Sequence, residues 1–355
     1  MGIQHLNRYL KEKCNAHNIN NDAIRHISFN DLRGKRIAVD TSIYMYKFSA
    51  EGALIDNMYQ MIALFKLNGI IPFFVFDGKP PQQKLELLKI RKEEKIVAEE
   101  KFKQLNTKLA DITDYEEKRE INGELDSLRR KFVRLSMADI ENVKKLMELC
   151  GVSYCVAEGE ADKLCAKLVL TKTVYACLSE DMDLFVYGCP RVLRYISLLK
   201  SSFVLYDFKK ILECLQINME DFRKICVISG TDYNYTESKS KNKNLYKTIT
   251  YYEKFIESKK SKDLEMDFYE WLRENTNYID DYDGLKDIHS MFILCETNIC
   301  ETNLCEISIN EISINEISIN EISINEINKQ SIVNKSVFRE PLRKFLDDYN
   351  FIFVD

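Results

Sequence analysis

Residues 173–188 read TVYACLSEDMDLFVYG: an apolar run stops at Ser179, three acids follow at Glu180, Asp181 and Asp183, and the apolar run resumes. Neighbouring carboxylates repel, and each makes the next harder to ionise. A short run rich in β-branched and aromatic residues reads as a strand buried on both faces. Two other runs share this form: RIAVD ends at Asp40 and IPFFVFD ends at Asp77. Helical stretches lie between them, such as 56–67 and 139–149. This alternation predicts an α/β fold with a central, mostly parallel sheet flanked by helices. Ligands of such sheets bind beyond the carboxyl ends of the strands. All three acidic ends fall there.

The 355 residues are 45% hydrophobic and 30% charged, enough core for one large domain or two ordinary ones. The strongest apolar run, IIPFFVF, is far short of the roughly 18 residues of a membrane span, so no membrane association is expected. MGIQHLNRYLKEK lacks the apolar stretch of a secretory signal, which predicts an intracellular protein. Eleven cysteines without a C-x-x-C pair read as reduced, small apolar residues. The net charge of −5 hides two basic patches: eight Lys/Arg against five acids over 79–103, and eight Lys against three acids over 237–262. For nucleic-acid binding the distribution matters more than the sum, although such runs are ordinarily solvated faces.

From Pro80 to about Lys131 the chain is Lys, Glu, Arg and Leu with a single glycine, Gly123. It predicts one or two solvent-projecting helices inserted between two halves of the sheet domain. Residues 295–328 repeat with a period of five, ending NEISI NEISI NEISI NEIN. That period fits neither helix nor strand, so a disordered or poorly packed insert is expected. Cys295, Cys300 and Cys305 are spaced by the repeat, and no metal cluster is expected of them.

Further acids are Glu158 and Glu160, opening an amphipathic helix in VAEGEADKLCAKL, and Asp232 in ISGTDYN. Taken singly, each reads as a helix cap or a strand end. Seven together, with Asp40, Asp77, Asp181 and Asp183, cannot stay ionised in one pocket without compensating cations. No His or Cys belongs to the set, so hard Mg²⁺ or Mn²⁺ is expected rather than Zn²⁺. Two such ions about 3.5–4 Å apart activate water and stabilise the leaving oxygen of a phosphodiester. Lys84 and Arg91, seven residues apart, share one face of the helix predicted after Asp77, about 10.5 Å apart along its axis. Both could lean over the site, or be solvated surface.

In order over residues 1 to about 235, MGIQHLNRYL, IAVDTSIYMYKF, FFVFDGKPPQQK, AEGEADKLCA, LSEDMDLFVYG and CVISGTDYN resemble flap endonuclease and the wider XPG-type structure-specific nucleases. The shortened chain is similar to the versions found in large DNA viruses. The resemblance implies a PIN-like nuclease fold with an inserted helical arch, matching residues 82–135, through which a 5′ single strand passes. It implies a Mg²⁺-dependent 5′ nuclease acting on flaps, nicks and gaps in DNA replication, repair or recombination. The seven acids would hold two Mg²⁺, with Mn²⁺ as substitute. Lys84 and Arg91 would engage the scissile phosphate, Tyr46 would stack on a nucleobase, and Gly2, with Met1 removed, would lie at the junction of duplex and flap.

The chain divides accordingly into an XPG N-type region (1–100), arch and linker (101–135), I-type region (136–235), Lys-rich helical region (236–294), repeat (295–328) and tail (329–355). Two departures stand out. The family's glycine-containing hairpin, which binds a duplex arm and K⁺, has no counterpart glycine before Gly284. The hairpin is lost or rebuilt, which puts K⁺ in question. Lys239, Lys241 and Lys243 are expected to contact DNA phosphates in its place. KFLDDYNFIFVD has the aromatics of a sliding-clamp motif without its glutamine, leaving a clamp partner open. A monomer in the nucleus or a viral replication compartment is expected. Two other readings are a PIN-like 5′–3′ exoribonuclease, separable by comparing flap DNA with RNA of the same structure, and a non-catalytic DNA-binding scaffold, which would have no reason to keep seven repelling acids.

Overall fold

The computed structural model describes residues 2–16, 22–109, 115–234, 243–262, 265–294, 322 and 324–351. Met1, Lys239, Lys241 and most of the pentad repeat lie outside these residues. The described chain runs α1 (Leu6–Ala16), β1 (Ile24–Ser28), β2 (Arg36–Asp40), α2 (Thr41–Ala50), α3 (Leu54–Leu67), β3 (Ile71–Phe76), α4 (Leu85–Leu109), α5 (Tyr115–Lys131) and α6 (Met137–Cys150). It continues through β4 (Ser153–Val156), α7 (Ala161–Leu170), β5 (Ala176–Leu178), α8 (Asp183–Val186), β6 (Arg191–Ser197), β7 (Ser202–Asp207), α9 (Phe208–Leu215) and α10 (Met219–Ser229). After Asp232 come α11 (Leu245–Lys262), α12 (Phe268–Asn275), α13 (Tyr282–Met291) and finally α14 (Arg339–Asp347).

The strands form one sheet in the order β1-β7-β6-β5-β2-β3-β4. From β6 to β4 neighbouring strands are parallel, and β7 is antiparallel to both β6 and β1. Side chains alternate across the sheet as the pleat requires. Ile37, Val39, Phe74 and Phe76 join α2, α3 and α6 on one side, while Ala38, Phe73 and Val75 join α1, α7 and the C-terminal helices on the other. Both faces are covered, so the central strands are apolar throughout.

The insert is a pair of helices, α4 and α5. With 25 residues, α4 is about 37 Å long and buries just Leu87 and Ala98. The boundary expected at residue 100 falls within α4, which begins at Leu85. Phe102 packs edge-on against Phe132 at 5.3 Å, and Lys101 pairs with Glu124.

The repeat also differs from expectation at its end. Ile322 and Ile324 pack on the core and Ile327 is fully buried. The chain then runs along the β4 edge: Ile322 N donates to Tyr154 O at 2.8 Å, Lys335 N to Gly151 O at 2.7 Å and Phe338 N to Leu149 O at 2.9 Å. An otherwise open sheet edge is thereby covered.

Candidate active site

Four strand ends and one helix end meet above the sheet. Asp40 is the last residue of β2, Asp77 follows β3, Glu158 and Glu160 follow β4, Asp181 and Asp183 follow β5, and Asp232 follows α10. Asp40, Asp181, Asp183 and Asp232 are buried. Ser179 Oγ donates to Asp40 Oδ2 at 2.8 Å and accepts from Asp181 N at 3.0 Å, while Asp183 N donates to Asp181 Oδ1 at 3.0 Å. Asp77 Oδ1 accepts from Ala161 N at the start of α7, at 2.8 Å. Glu158 is exposed. Glu180 turns away: its carboxylate accepts from Tyr195 N at 2.6 Å and pairs with buried Arg194 at 3.3 Å.

Two glycines let backbone enter this crowd. A Cβ on Gly78 would lie 1.9 Å from Ala157 O, and Gly78 N donates to Gly159 O at 2.7 Å, tying the loop after β3 to the one after β4. Gly2, at φ +73, would place a Cβ 2.4 Å from Asp183 Oδ1 and 2.7 Å from Asp181 Oδ1. The N-terminal backbone therefore lies directly against the acids.

The arch supplies the opposite charge. Lys84 pairs with Glu160 and lies 3.3 Å from Asp232 Oδ2, and Arg91 Nη2 donates to both oxygens of Asp232 at 2.9 Å. Lys84 lies in the short turn just before α4 rather than on the helix itself, and its side chain and that of Arg91 on α4 converge on one carboxylate. Burial disfavours the Lys84 charge, yet Glu160 and Asp232 outweigh it and push its ammonium above the ordinary value. Tyr46, on α2, is 43% exposed and carries Lys95 Nζ over its ring at 4.8 Å. Lys243 is half-buried just before α11.

These cations do not neutralise the set. Burial, then Asp77, pushes the Asp40 carboxyl well above its usual range, against the Ser179 hydrogen bond. Burial, then Asp181 and Asp232, does the same to Asp183, and burial also raises Asp181. Asp183 Oδ1 is buried with no hydrogen-bond partner among the described residues. No three acid, imidazole or thiol groups among the described residues form a ready-made metal cage; the acids close on Lys84 and Arg91 instead. An all-oxygen donor set with an unpaired inward oxygen and unrelieved repulsion suits a hard divalent cation.

One acid escaped the sequence reading. Asp162, in the first turn of α7, is 9% exposed, and burial, then Asp181, Glu160 and Asp40, raises its carboxyl well above the usual range. Its signal was present in EGEAD, two residues after Glu160, but an acid in a first helical turn ordinarily complements the helix dipole.

Residues 1–98 match the XPG N-terminal domain and residues 151–232 the XPG I-region, together half of the chain. Flap endonuclease 1 of Methanococcus aeolicus is 33% identical over 235 residues, covering 60% of this chain and 68% of that protein. The chain belongs to the XPG/flap endonuclease family. Another family member, flap endonuclease 1 of Debaryomyces hansenii, is 32% identical over 256 residues, covering 66% of this chain and 62% of that protein. The chain thus spans less than two thirds of that relative's length. The family fold is also that of the catalytic core of Rad2 in complex with DNA substrate, with a TM-score of 0.57 at 20% identity over 98% of this chain and 94% of that one.

Proposed function

We propose that the chain is a Mg²⁺-dependent, structure-specific 5′ nuclease that hydrolyses phosphodiester bonds in branched or nicked DNA during replication, repair or recombination, acting as a monomer. The observation that carries this reading is the convergence of Lys84 and Arg91, from the arch, on Glu160 and Asp232 beside the buried Asp40, Asp181 and Asp183. Asp40, Asp77, Glu158, Glu160, Asp181, Asp183 and Asp232 would hold two Mg²⁺, or Mn²⁺ in their place. Bound there, the ions supply Lewis acidity toward the phosphate and lower the pKa of the attacking water.

The chain's own groups do the rest. Lys84 and Arg91 exchange carboxylate partners for the scissile phosphate, where their charge counts most as negative charge builds in the transition state. Tyr46 offers an exposed ring to a base, a contact worth about 1–3 kcal/mol. Gly2 brings backbone, rather than a side chain, to the point where duplex meets flap. Lys239, Lys241 and Lys243 contact duplex phosphates. The test is cleavage of 5′-flap, nicked, gapped and 3′-flap DNA, and of a flap of the same structure in RNA, with and without Mg²⁺. Cleavage of the 5′-flap, nicked and gapped DNA, dependent on added Mg²⁺, is expected; preference for RNA or for 3′ flaps would overturn the assignment.

A further inference from the structure

Glu160 is held from two sides. Oε1 takes Lys84 Nζ, and Oε2 takes the hydroxyl of Tyr233 at 2.6 Å. Glu160 is the N-cap residue of α7, yet its side chain makes no hydrogen bond to that helix, so capping does not account for where its carboxylate points. A tyrosine has one hydroxyl proton, and here the carboxylate takes it. The Tyr187 hydroxyl, 3.1 Å away, must then donate to the Tyr233 oxygen. Both rings pack on Phe292 at the end of α13, with centroids 5.3 Å from Tyr233 and 4.8 Å from Tyr187. Tyr233 N also donates to Thr231 Oγ1 at 3.3 Å. Lys84 reaches Glu160 from the turn before α4, whereas Tyr233 is packed against the core.

We propose that Tyr233 is a positioning residue for the metal site: it grips Glu160 by Oε2, so that Oε1, shared with Lys84 in this structure, is the oxygen offered to a divalent cation when Lys84 turns to phosphate. The proposal rests on the metal-site reading above. An outer hydrogen bond of this kind fixes the orientation of a ligating carboxylate, and its loss typically costs 10–100-fold in metal affinity or activity.

The test is calorimetric titration of Mn²⁺ into the full chain without DNA, for the wild type, Tyr233→Phe, Tyr187→Phe and Glu160→Gln with and without Tyr233→Phe. Phe keeps the ring and its packing, so the thermal midpoint should hold. Tyr233→Phe is expected to weaken Mn²⁺ binding by about 10–100-fold. Tyr187→Phe, which leaves the Glu160 contact but loosens it, should give a smaller loss. In the Glu160→Gln background Tyr233→Phe should change nothing further, because two residues acting through one contact are not additive. Unchanged affinity in Tyr233→Phe, or the same loss recurring in the Glu160→Gln background, overturns the proposal. If Tyr233→Phe misfolds, wild-type affinity in Tyr187→Phe overturns it alone. A wild-type chain that binds no Mn²⁺ overturns the metal-site reading itself, and the proposal with it.

Discussion

The carboxyl of Asp183 is buried, keeps one oxygen without a partner among the described residues and is raised well above its ordinary pKa by burial and by Asp181, Asp232 and Asp162. An acid raised on folding binds more protons folded than unfolded. Its contribution to stability is intact below the unfolded value near 3.9 and is lost as pH rises toward the raised folded value. Asp40 has the same sign. Metal-free protein should therefore become less stable as pH climbs above about 4 through that window. Mg²⁺ should restore more stability at the upper end, as calorimetry in EDTA and in Mg²⁺ will show. By the same argument Asp183→Asn is expected to raise the metal-free thermal midpoint by about 2–4 °C while abolishing cleavage. A lower midpoint would mean that the repulsion is already relieved. Gly2→Ala should cost activity, since its Cβ would sit 2.4 Å from Asp183 Oδ1 on a backbone with φ +73. A displacement near 1 Å at a reacting centre can cost about 10²-fold in rate. Single-turnover rates near wild type would remove Gly2 from the site. At this scale Asp40, Asp77, Asp181 and Asp183 were legible because each interrupts an apolar run. Asp162 was not, since nothing in a local pattern separates an acid that neutralises a helix dipole from one that faces other acids across a fold.

The central strands were legible for a related reason: β2, β3 and β5 are covered on both faces and so read as unbroken apolar runs. At the opposite edge β1 is IRHIS, short and half polar, and pairs with β7 from nearly two hundred residues away; no local pattern reports such a partner. The helical character of the arch was plain from composition, but its closure onto the site was not. Spacing put Lys84 and Arg91 on one face; the convergence of both on Asp232 depends on where α10 ends. That contact separates two roles for Lys84. As a counterion it would compete with metal for Glu160, and as a phosphate contact it would stabilise the transition state. Lys84→Ala is therefore expected to bind Mn²⁺ more tightly without DNA, yet to cut more slowly, by up to the roughly 2.7–4 kcal/mol that one such donor supplies. Calorimetry and single-turnover kinetics on the same variant check both halves. Looser Mn²⁺ binding would show that Lys84 helps to build the site rather than to fill it.

Over the whole molecule, the acidic site at one end of the sheet is joined to a C-terminal segment that runs along the β4 edge, with the pentad repeat between them in sequence. The four EISIN units, 306–325, are identical, so deleting any three leaves the same residues at the docked positions 322, 324 and 327. Deleting 306–320 should leave the thermal midpoint unchanged, because closure entropy depends weakly on loop length. Deleting all four places Thr302 and Leu304 where Ile322 and Ile324 pack, and a lower midpoint is expected. Equal midpoints for both deletions would show that those isoleucines contribute nothing. The central claim is that the acids at the strand ends form a working metal site beneath the arch. Asp181→Ala, assayed beside the wild type on one 5′-flap DNA, tests it most directly, with cleavage read in Mg²⁺ and binding read in Ca²⁺. The account expects binding as tight as the wild type or tighter, because a carboxylate that repels phosphate is gone, with cleavage lost. Cleavage within a few-fold of the wild type would contradict it.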